Sequence, residues 1–173
     1  MDTCHIKIDW FAVRVKSNCE RNVASALGFK GFEVCLPLCR PRRPSKRKPK
    51  EIALFPGYVF SSFDALNLLP VLTVPGVVGV VCCGRTPEPV DRAEMYSLQR
   101  LAASGVISEP HPYLQVGQRV CISEGPLEGV EGLLVRECGA DRLVISVSLL
   151  QRSVIAEVER HWVEPVVLTM SAA

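Results

Sequence analysis

Leu54-Phe55-Pro56-Gly57-Tyr58-Val59-Phe60 joins a proline–glycine turn to a segment that carries large aromatic side chains at alternate positions. Because proline fixes φ and glycine permits positive φ, the chain is expected to reverse direction sharply at 56–57. In the strand that follows, Tyr58 and Phe60 project from one face and Val59 projects from the other. Two aromatic side chains on one face either fill a core or form a docking patch for a partner helix.

Length and composition are those of a small globular protein. The chain has 173 residues, of which 48% are hydrophobic, and this suits one or two small domains with packed cores. No apolar run reaches the roughly 18 residues that a membrane-spanning helix needs. The first residues do not resemble a signal peptide, because Asp2, His5, Lys7 and Asp9 are spread through them. We therefore expect a cytoplasmic protein that does not associate with a membrane.

Charge is distributed unevenly along the chain. Residues 1–115 have 15 Lys and Arg against 10 Asp and Glu, whereas residues 116–173 have 5 against 8. The first part therefore suits an anionic partner better than the second. The tract 40–50 contains no acidic residue and carries seven positive charges, at Arg40, Arg42, Arg43, Lys46, Arg47, Lys48 and Lys50. Its three prolines oppose a helix, so we predict a loop that is either a solvated charge run or an arm contacting nucleic-acid phosphates.

Hydrophobic periodicity predicts an α+β sandwich followed by a small all-β barrel. Residues 7–15 alternate as in a strand, and capping-box patterns at Ser17-x-x-Glu20 and Asp91-x-x-Glu94 each predict a helix. Later segments are short, apolar and punctuated by glycines, with Leu143, Ile145, Val147 and Leu149 expected on one face of the longest strand. The predicted limits are a first domain at 1–103, a linker at 104–115, the barrel at 116–166 and a tail at 167–173.

Alternation along the strands also predicts which side chains share a face of the first sheet. If helices cover one face of this sheet, the apolar side chains on that face should be Phe11, Val13, Val15 and Val59. The opposite face would then carry Trp10, Arg14, Tyr58 and Phe60. The second set is the candidate docking surface, with pure core packing as the alternative.

No catalytic or metal-binding pattern is recognisable in the sequence. The histidines, His5, His111 and His161, are far apart and lack metal-ligand spacing. The eight cysteines lack the spacing of a zinc site and are expected to be free thiols. Neither a nucleophile motif nor a phosphate-cradling glycine loop is present. We therefore predict a protein that is not an enzyme and that uses no metal and no cofactor.

Four segments, in this order, carry a family resemblance. They are Trp10 to Val15, the 54–60 stretch, Val74-Pro75-Gly76-Val77-Val78-Gly79-Val80-Val81, and Gly117 through Gly125-Pro126-Leu127 to Gly132. Together they resemble the NusG family of bacterial transcription elongation factors over nearly the whole chain. The first hundred or so residues resemble its N-terminal domain, and residues 116–166 resemble its KOW domain, a small barrel.

The resemblance implies partners and site residues. In the family, the sheet face opposite the helices grips the clamp helices of the largest RNA polymerase subunit. This implies a polymerase-binding set of Trp10, Arg14, Tyr58, Phe60 and Val80, with the basic tract contacting DNA in the elongation complex. We expect the protein to act as a monomer.

At the barrel tip, the resemblance implies a second partner site formed by Leu149, Leu150, Gln151 and Arg152. General factors of the family usually carry Phe-Gly at the positions of Leu150 and Gln151, and that Phe helps to bind Rho and a small-subunit ribosomal protein. With Leu150 in place of that Phe, the chain resembles the specialised paralogues that antiterminate particular long operons. We therefore expect no Rho binding, whereas contact with a small-subunit ribosomal protein stays a candidate. Two alternatives remain open, a general factor that couples polymerase to Rho or the ribosome, and a ribosomal or RNA-binding KOW protein.

Overall fold

The computed structural model describes residues 8–39, 51–106, 108–111, 118–137 and 140–166. The chain divides into two compact units, Met1–Met95 and Tyr96–Ala173, and each is described by itself. All seven cations of the basic tract, Arg40 to Lys50, lie outside the described residues, and so do the predicted tail and part of the predicted linker. No helix among the described residues is long and apolar enough to cross a membrane.

The first unit is built on a four-stranded antiparallel sheet. Its strands are β1 (Ile8–Val15), β2 (Glu33–Cys35), β5 (Tyr58–Asp64) and β6 (Val77–Val80), in the order β2-β5-β1-β6. Two short hairpins accompany it, formed by β3 (Leu38–Cys39) with β4 (Ile52–Ala53), and by β7 (Cys82–Cys83) with β8 (Thr86–Pro87). The helices are α1 (Glu20–Phe29) and α2 (Leu69–Leu72), and α3 (Arg92–Ser104) begins at the end of this unit.

One face of this sheet packs against α1 and α2. The core there contains the four predicted residues Phe11, Val13, Val15 and Val59, together with Val23 and Leu27 of α1, Val71 of α2, and Phe63 and Val74. The rings of Phe11 and Phe63 stack with centroids 4.7 Å apart. The alternation in the sequence therefore identified the helix-covered face correctly. A period of two along β1 and β5 turns every second side chain toward the helices.

The two predicted capping boxes have different outcomes. At α3 the Asp91 carboxylate accepts hydrogen bonds from the amides of Ala93 and Glu94, at 2.9 and 3.2 Å. At α1 the predicted helix is present but the predicted cap is wrong, because the N-cap residue is Cys19 and no side chain caps the helix. The Glu20 carboxylate instead accepts a hydrogen bond from the Gly57 amide, at 2.9 Å. The Gly57 amide, 37 residues along the chain, therefore binds the carboxylate that the capping-box pattern had assigned to the end of the helix.

The second unit contains a six-stranded antiparallel sheet. Its strands, in the order β14-β10-β11-β12-β13-β9, are β9 (Ser108–His111), β10 (Gln118–Ile122), β11 (Glu131–Glu137), β12 (Ala140–Val147), β13 (Arg152–Glu157) and β14 (Val163–Pro165). Two 3-10 turns, Ser148–Leu150 and Arg160–Trp162, precede β13 and β14. The α+β class is confirmed. Among the described residues, the strand pairings do not close this sheet, so a complete barrel stays a prediction.

The structure differs from the sequence-based interpretation at two places in this unit. Residues 108–111, inside the predicted linker, form β9 and pair with β13, with Ser108 opposite Ala156. Leu149 does not continue the face of Leu143, Ile145 and Val147, because the strand ends at Val147 and Leu149 lies in a 3-10 turn. Alternation does not mark where a strand ends when the next residues are also apolar. The predicted domain limits themselves stay a prediction.

Candidate partner-binding site

The sheet face opposite α1 and α2 carries four rows of side chains. Residues directly opposite each other on antiparallel strands share a face, so the register defines each row. The first row is Tyr58, Arg14 and Gly79; the middle row, next to it, is Cys35, Phe60 and Ala12; the third row is Glu33, Ser62 and Trp10; the fourth row is Asp64 and Ile8. We call this surface the opposite face. Four of the five implied polymerase-binding residues, Trp10, Arg14, Tyr58 and Phe60, lie on it.

The first row is accessible. Arg14 is exposed and Tyr58 is half-buried. A Cβ built on Gly79 would meet no atom within 4 Å, so the space beside Arg14 on the β6 side is open. The register between β1 and β6 shifts between Arg14 and Val15. The row therefore presents an aromatic ring, a guanidinium and an unfilled position side by side.

The middle row is core. Phe60 and Ala12 are 0% exposed and Cys35 is buried. The Phe60 ring packs edge-to-face against Phe55 with the centroids 5.4 Å apart. Burial raises the pKa of the Cys35 thiol to about 12, which keeps it neutral. The alternative of pure core packing therefore describes Phe60, whose ring does not reach the surface as a docking anchor would need to.

The third row is held by backbone contacts from a later segment. The carbonyl of Trp10 accepts a hydrogen bond from the Val90 amide at 2.8 Å, and Phe11 forms a β-bridge with Pro89. Trp10 is half-buried and Ser62 is buried, while Glu33 is exposed on the edge strand. Trp10 is thus partly exposed, two rows away from Arg14.

Val80 is on the other side of the sheet, contrary to its placement in the implied set. It is directly opposite Val13, and both side chains belong to the core beneath the helices. Gly79, not Val80, is the β6 residue beside Arg14. The sequence carries no marker of the register between β1 and β6, and that register places Val80 opposite Val13.

Two proline–glycine turns fix the end of β1 next to the first row. The carbonyl of Gly57 accepts a hydrogen bond from the Val15 amide at 2.9 Å, and the carbonyl of Gly76 accepts one from the Lys16 amide at 2.8 Å. Both glycines have positive φ, 85° and 97°. Residues with side chains rarely adopt this conformation, which explains glycine at both positions. Position 57 is further anchored to α1 through Glu20, a contact that no local sequence pattern indicates.

The implied second site, in the other unit, is a tight turn between β12 and β13. Leu149 and Leu150 are half-buried in the 3-10 turn, Gln151 is exposed, and Arg152 begins β13 opposite Val147. Gln151 has φ 50°, in the left-handed region. Its side-chain amide donates a hydrogen bond to the Ser148 carbonyl at 2.8 Å. The glycine that general factors carry at this position would adopt the same φ without strain.

The described residues contain no group of three or more His, Cys, Asp or Glu side chains that could hold a metal ion. The predicted lack of enzymatic activity is not tested by this geometry and stays a prediction. What the geometry offers is a surface, since the accessible side chains of the first row lie side by side on an extended sheet. That arrangement suits contact with another macromolecule.

Fold and site together define an α+β protein with α1 and α2 on one face of a four-stranded sheet and a candidate binding surface on the other. Residues 8–99 match the family model described as "NusG: Transcription termination factor nusG", so the chain belongs to the NusG family. Two curated relatives are named transcription termination/antitermination protein NusG. The Helicobacter pylori protein (strain ATCC 700392 / 26695) is 23% identical over 92% of this chain and 99% of its own length. The Vibrio vulnificus protein is 29% identical over 90% and 94%.

A solved structure of Thermotoga maritima NusG supports the same assignment. It is 26% identical to this chain, with a TM-score of 0.52, and the similarity covers 93% of this chain and 98% of that one. These similarities do not distinguish general factors from specialised paralogues.

Proposed function

We propose that this protein is a transcription elongation and antitermination factor that binds the clamp helices of RNA polymerase through the opposite face and suppresses pausing or termination. The observation that carries the proposal is the accessible first row, which lies on the sheet face opposite α1 and α2 in a chain of the NusG family. Because Phe60 is buried and Val80 faces the helices, the contacts come from Tyr58, Arg14 and Trp10.

The proposed mechanism is a shift of populations and involves no chemical step. A factor that binds the closed clamp better than the open clamp disfavours the opening motions that accompany pausing and termination. The basic tract supplies a second, sequence-independent attraction to the DNA of the elongation complex. The second unit, which we propose to be a KOW barrel, recruits a further partner at raised effective concentration.

Substitution of Tyr58 tests the polymerase contact. Large aromatic residues at interfaces typically cost about 2 kcal/mol or more on truncation. Tyr58→Ala combined with Trp10→Ala should therefore weaken binding to core RNA polymerase by at least about 30-fold, measured by biolayer interferometry. Phe29→Ala is the matched control, because Phe29 is an aromatic residue that is 92% exposed on α1, away from this face. Equal affinities of the double variant and the control, with both folded by circular dichroism, would reject the docking face.

A specialised role at one long operon is the finer part of the proposal. It is motivated by Leu150 and Gln151 in the turn where general factors carry Phe-Gly. A general factor that binds Rho or the ribosome is the second candidate, favoured by the name that the curated relatives share and by their coverage of nearly the whole chain. Titration calorimetry of the full chain against Rho separates the two, since submicromolar affinity would establish the general factor. Nascent-transcript mapping with and without the protein identifies any single target operon.

A further inference from the structure

The first row places an unneutralised cation at its centre. Arg14 lies between Tyr58 on β5 and Gly79 on β6. Among the described residues, no carboxylate lies within ion-pair distance of the Arg14 guanidinium, and no acceptor forms a hydrogen bond with it. An arginine side chain stays charged across the physiological range and presents five donors. A partner that covers this row without an acceptor would therefore bury a charge with nothing to satisfy it.

The acidic residues Glu20 and Glu33 do not pair with Arg14. The Glu20 carboxylate is engaged with the Gly57 amide at the end of β5. Glu33 shares the opposite face but lies in the third row. Since the third row is four residues along β1 from the first, the two rows are about 13 Å apart along the strand. The face is therefore polarised, with its cation at one end and its carboxylates, Glu33 and Asp64, toward the other.

The surroundings of Arg14 suit a carboxylate. The planar guanidinium binds carboxylates through two parallel hydrogen bonds. Gly79 leaves open the position beside it, where any larger residue would place a side chain. Tyr58 lies directly opposite Arg14 on the neighbouring strand, so a partner that covers one residue also covers the other. We propose that the opposite face selects a partner helix that places an acidic side chain on Arg14, so that Arg14 determines specificity for the polymerase surface. This inference rests on the proposed function, because it names the chemistry of that same contact.

Charge reversal at Arg14 tests the inference on the full chain with core RNA polymerase. Arg14→Glu should weaken binding by at least about tenfold, because two carboxylates would then face each other. Arg14→Gln should lose less affinity than Arg14→Glu. It should also make the affinity depend less steeply on KCl concentration. Arg85→Glu is the matched control, since Arg85 is an exposed arginine in the β7–β8 hairpin and the net charge changes equally. Equal losses for Arg14→Glu and Arg85→Glu would overturn the inference in favour of a general charge effect.

A reciprocal substitution identifies the partner group. Acidic residues of the clamp helices are changed to lysine one at a time, and each polymerase is assayed with Arg14 and with Arg14→Glu. One such lysine should weaken binding of the unmodified protein and restore binding of Arg14→Glu by at least about tenfold. If the unmodified protein binds polymerase tightly and Arg14→Glu binds equally well, the acidic contact is wrong and the proposed function stands. If the unmodified protein does not bind polymerase, the proposed function itself fails.

Discussion

The two faces of the four-stranded sheet are built from the same strands and differ in how completely they are packed. The helix-covered face joins β1 and β5 to α1 and α2 through a continuous set of buried apolar side chains. The opposite face is buried in its middle row and at Ser62, and its first row contains an exposed arginine, a half-buried tyrosine and a glycine. A face that forms part of a core and also keeps an accessible end can bind a partner while its position stays fixed by packing.

The largest expected effect concerns two phenylalanines of β5 that lie on different faces. Phe63 stacks on Phe11 beneath the helices, and Phe60 packs against Phe55 in the middle row. Phe60→Ala and Phe63→Ala should each lower the free energy of unfolding by about 3–5 kcal/mol, measured by urea titration. Tyr58→Ala, one row away from Phe60, should cost about 1 kcal/mol, as expected of partly exposed positions. If Phe60→Ala lowered the free energy of unfolding no more than Tyr58→Ala does, the middle row would not be core. The two faces of the sheet would then not differ in the way described above.

An intermediate effect concerns the two turns beside the first row. Gly57 and Gly76 both have positive φ, so alanine is strained at either position by about 1–2 kcal/mol. They differ in their surroundings. A Cβ at position 76 would lie 3.1 Å from Val23 Cγ2 and 3.2 Å from Cys19 Cβ, on the α1 side, whereas at position 57 the nearest atom is 3.9 Å away.

Gly76→Ala should therefore destabilise the fold more than Gly57→Ala, by about 1 kcal/mol beyond the shared strain. Thermal unfolding of the two variants measures the difference. In a Val23→Ala background, which removes the closer of the two contacting atoms, the cost of Gly76→Ala should shrink. An unchanged cost in that background would mean that φ alone determines the effect and that packing against α1 contributes nothing.

The sequence predicted which residues of β1 and β5 lie on each face of the sheet, but not which rows of the opposite face are buried. Alternation along β1 and β5 is local, so the residues on the helix-covered face could be assigned from the sequence alone. The burial of Phe60 could not, because it depends on Phe55, which lies on the far side of a sharp turn. Val80 was misplaced because its face is set by the pairing with Val13, and register between distant strands leaves no mark in either segment. Glu20 was misassigned because a long-range partner, Gly57, competes with the local helix end.

Gly79→Ala is expected to have the smallest effect on stability. It also tests most directly whether the first row of the opposite face forms part of an interface. Gly79 is in the interior of β6, and a Cβ there meets no atom within 4 Å. Glycine in a strand interior loses more conformational freedom on folding than alanine does, so Gly79→Ala should raise the free energy of unfolding by about 0.5 kcal/mol. The new methyl group would also occupy the open position beside Arg14. Affinity for core RNA polymerase should therefore fall by about threefold even though the protein becomes more stable.

Gly28→Ala is the matched control for this prediction. Gly28 lies in α1, and a Cβ there also meets no atom within 4 Å. Alanine in a helix is more favourable than glycine by about 1 kcal/mol, so this variant should gain stability without touching the first row. Unfolding titrations and polymerase binding measured on both variants separate stability from contact. Loss of affinity in Gly79→Ala alone would identify the open position as part of the interface. Equal affinities in the two variants would mean that the partner does not reach β6, and would confine the contact to β1 and β5.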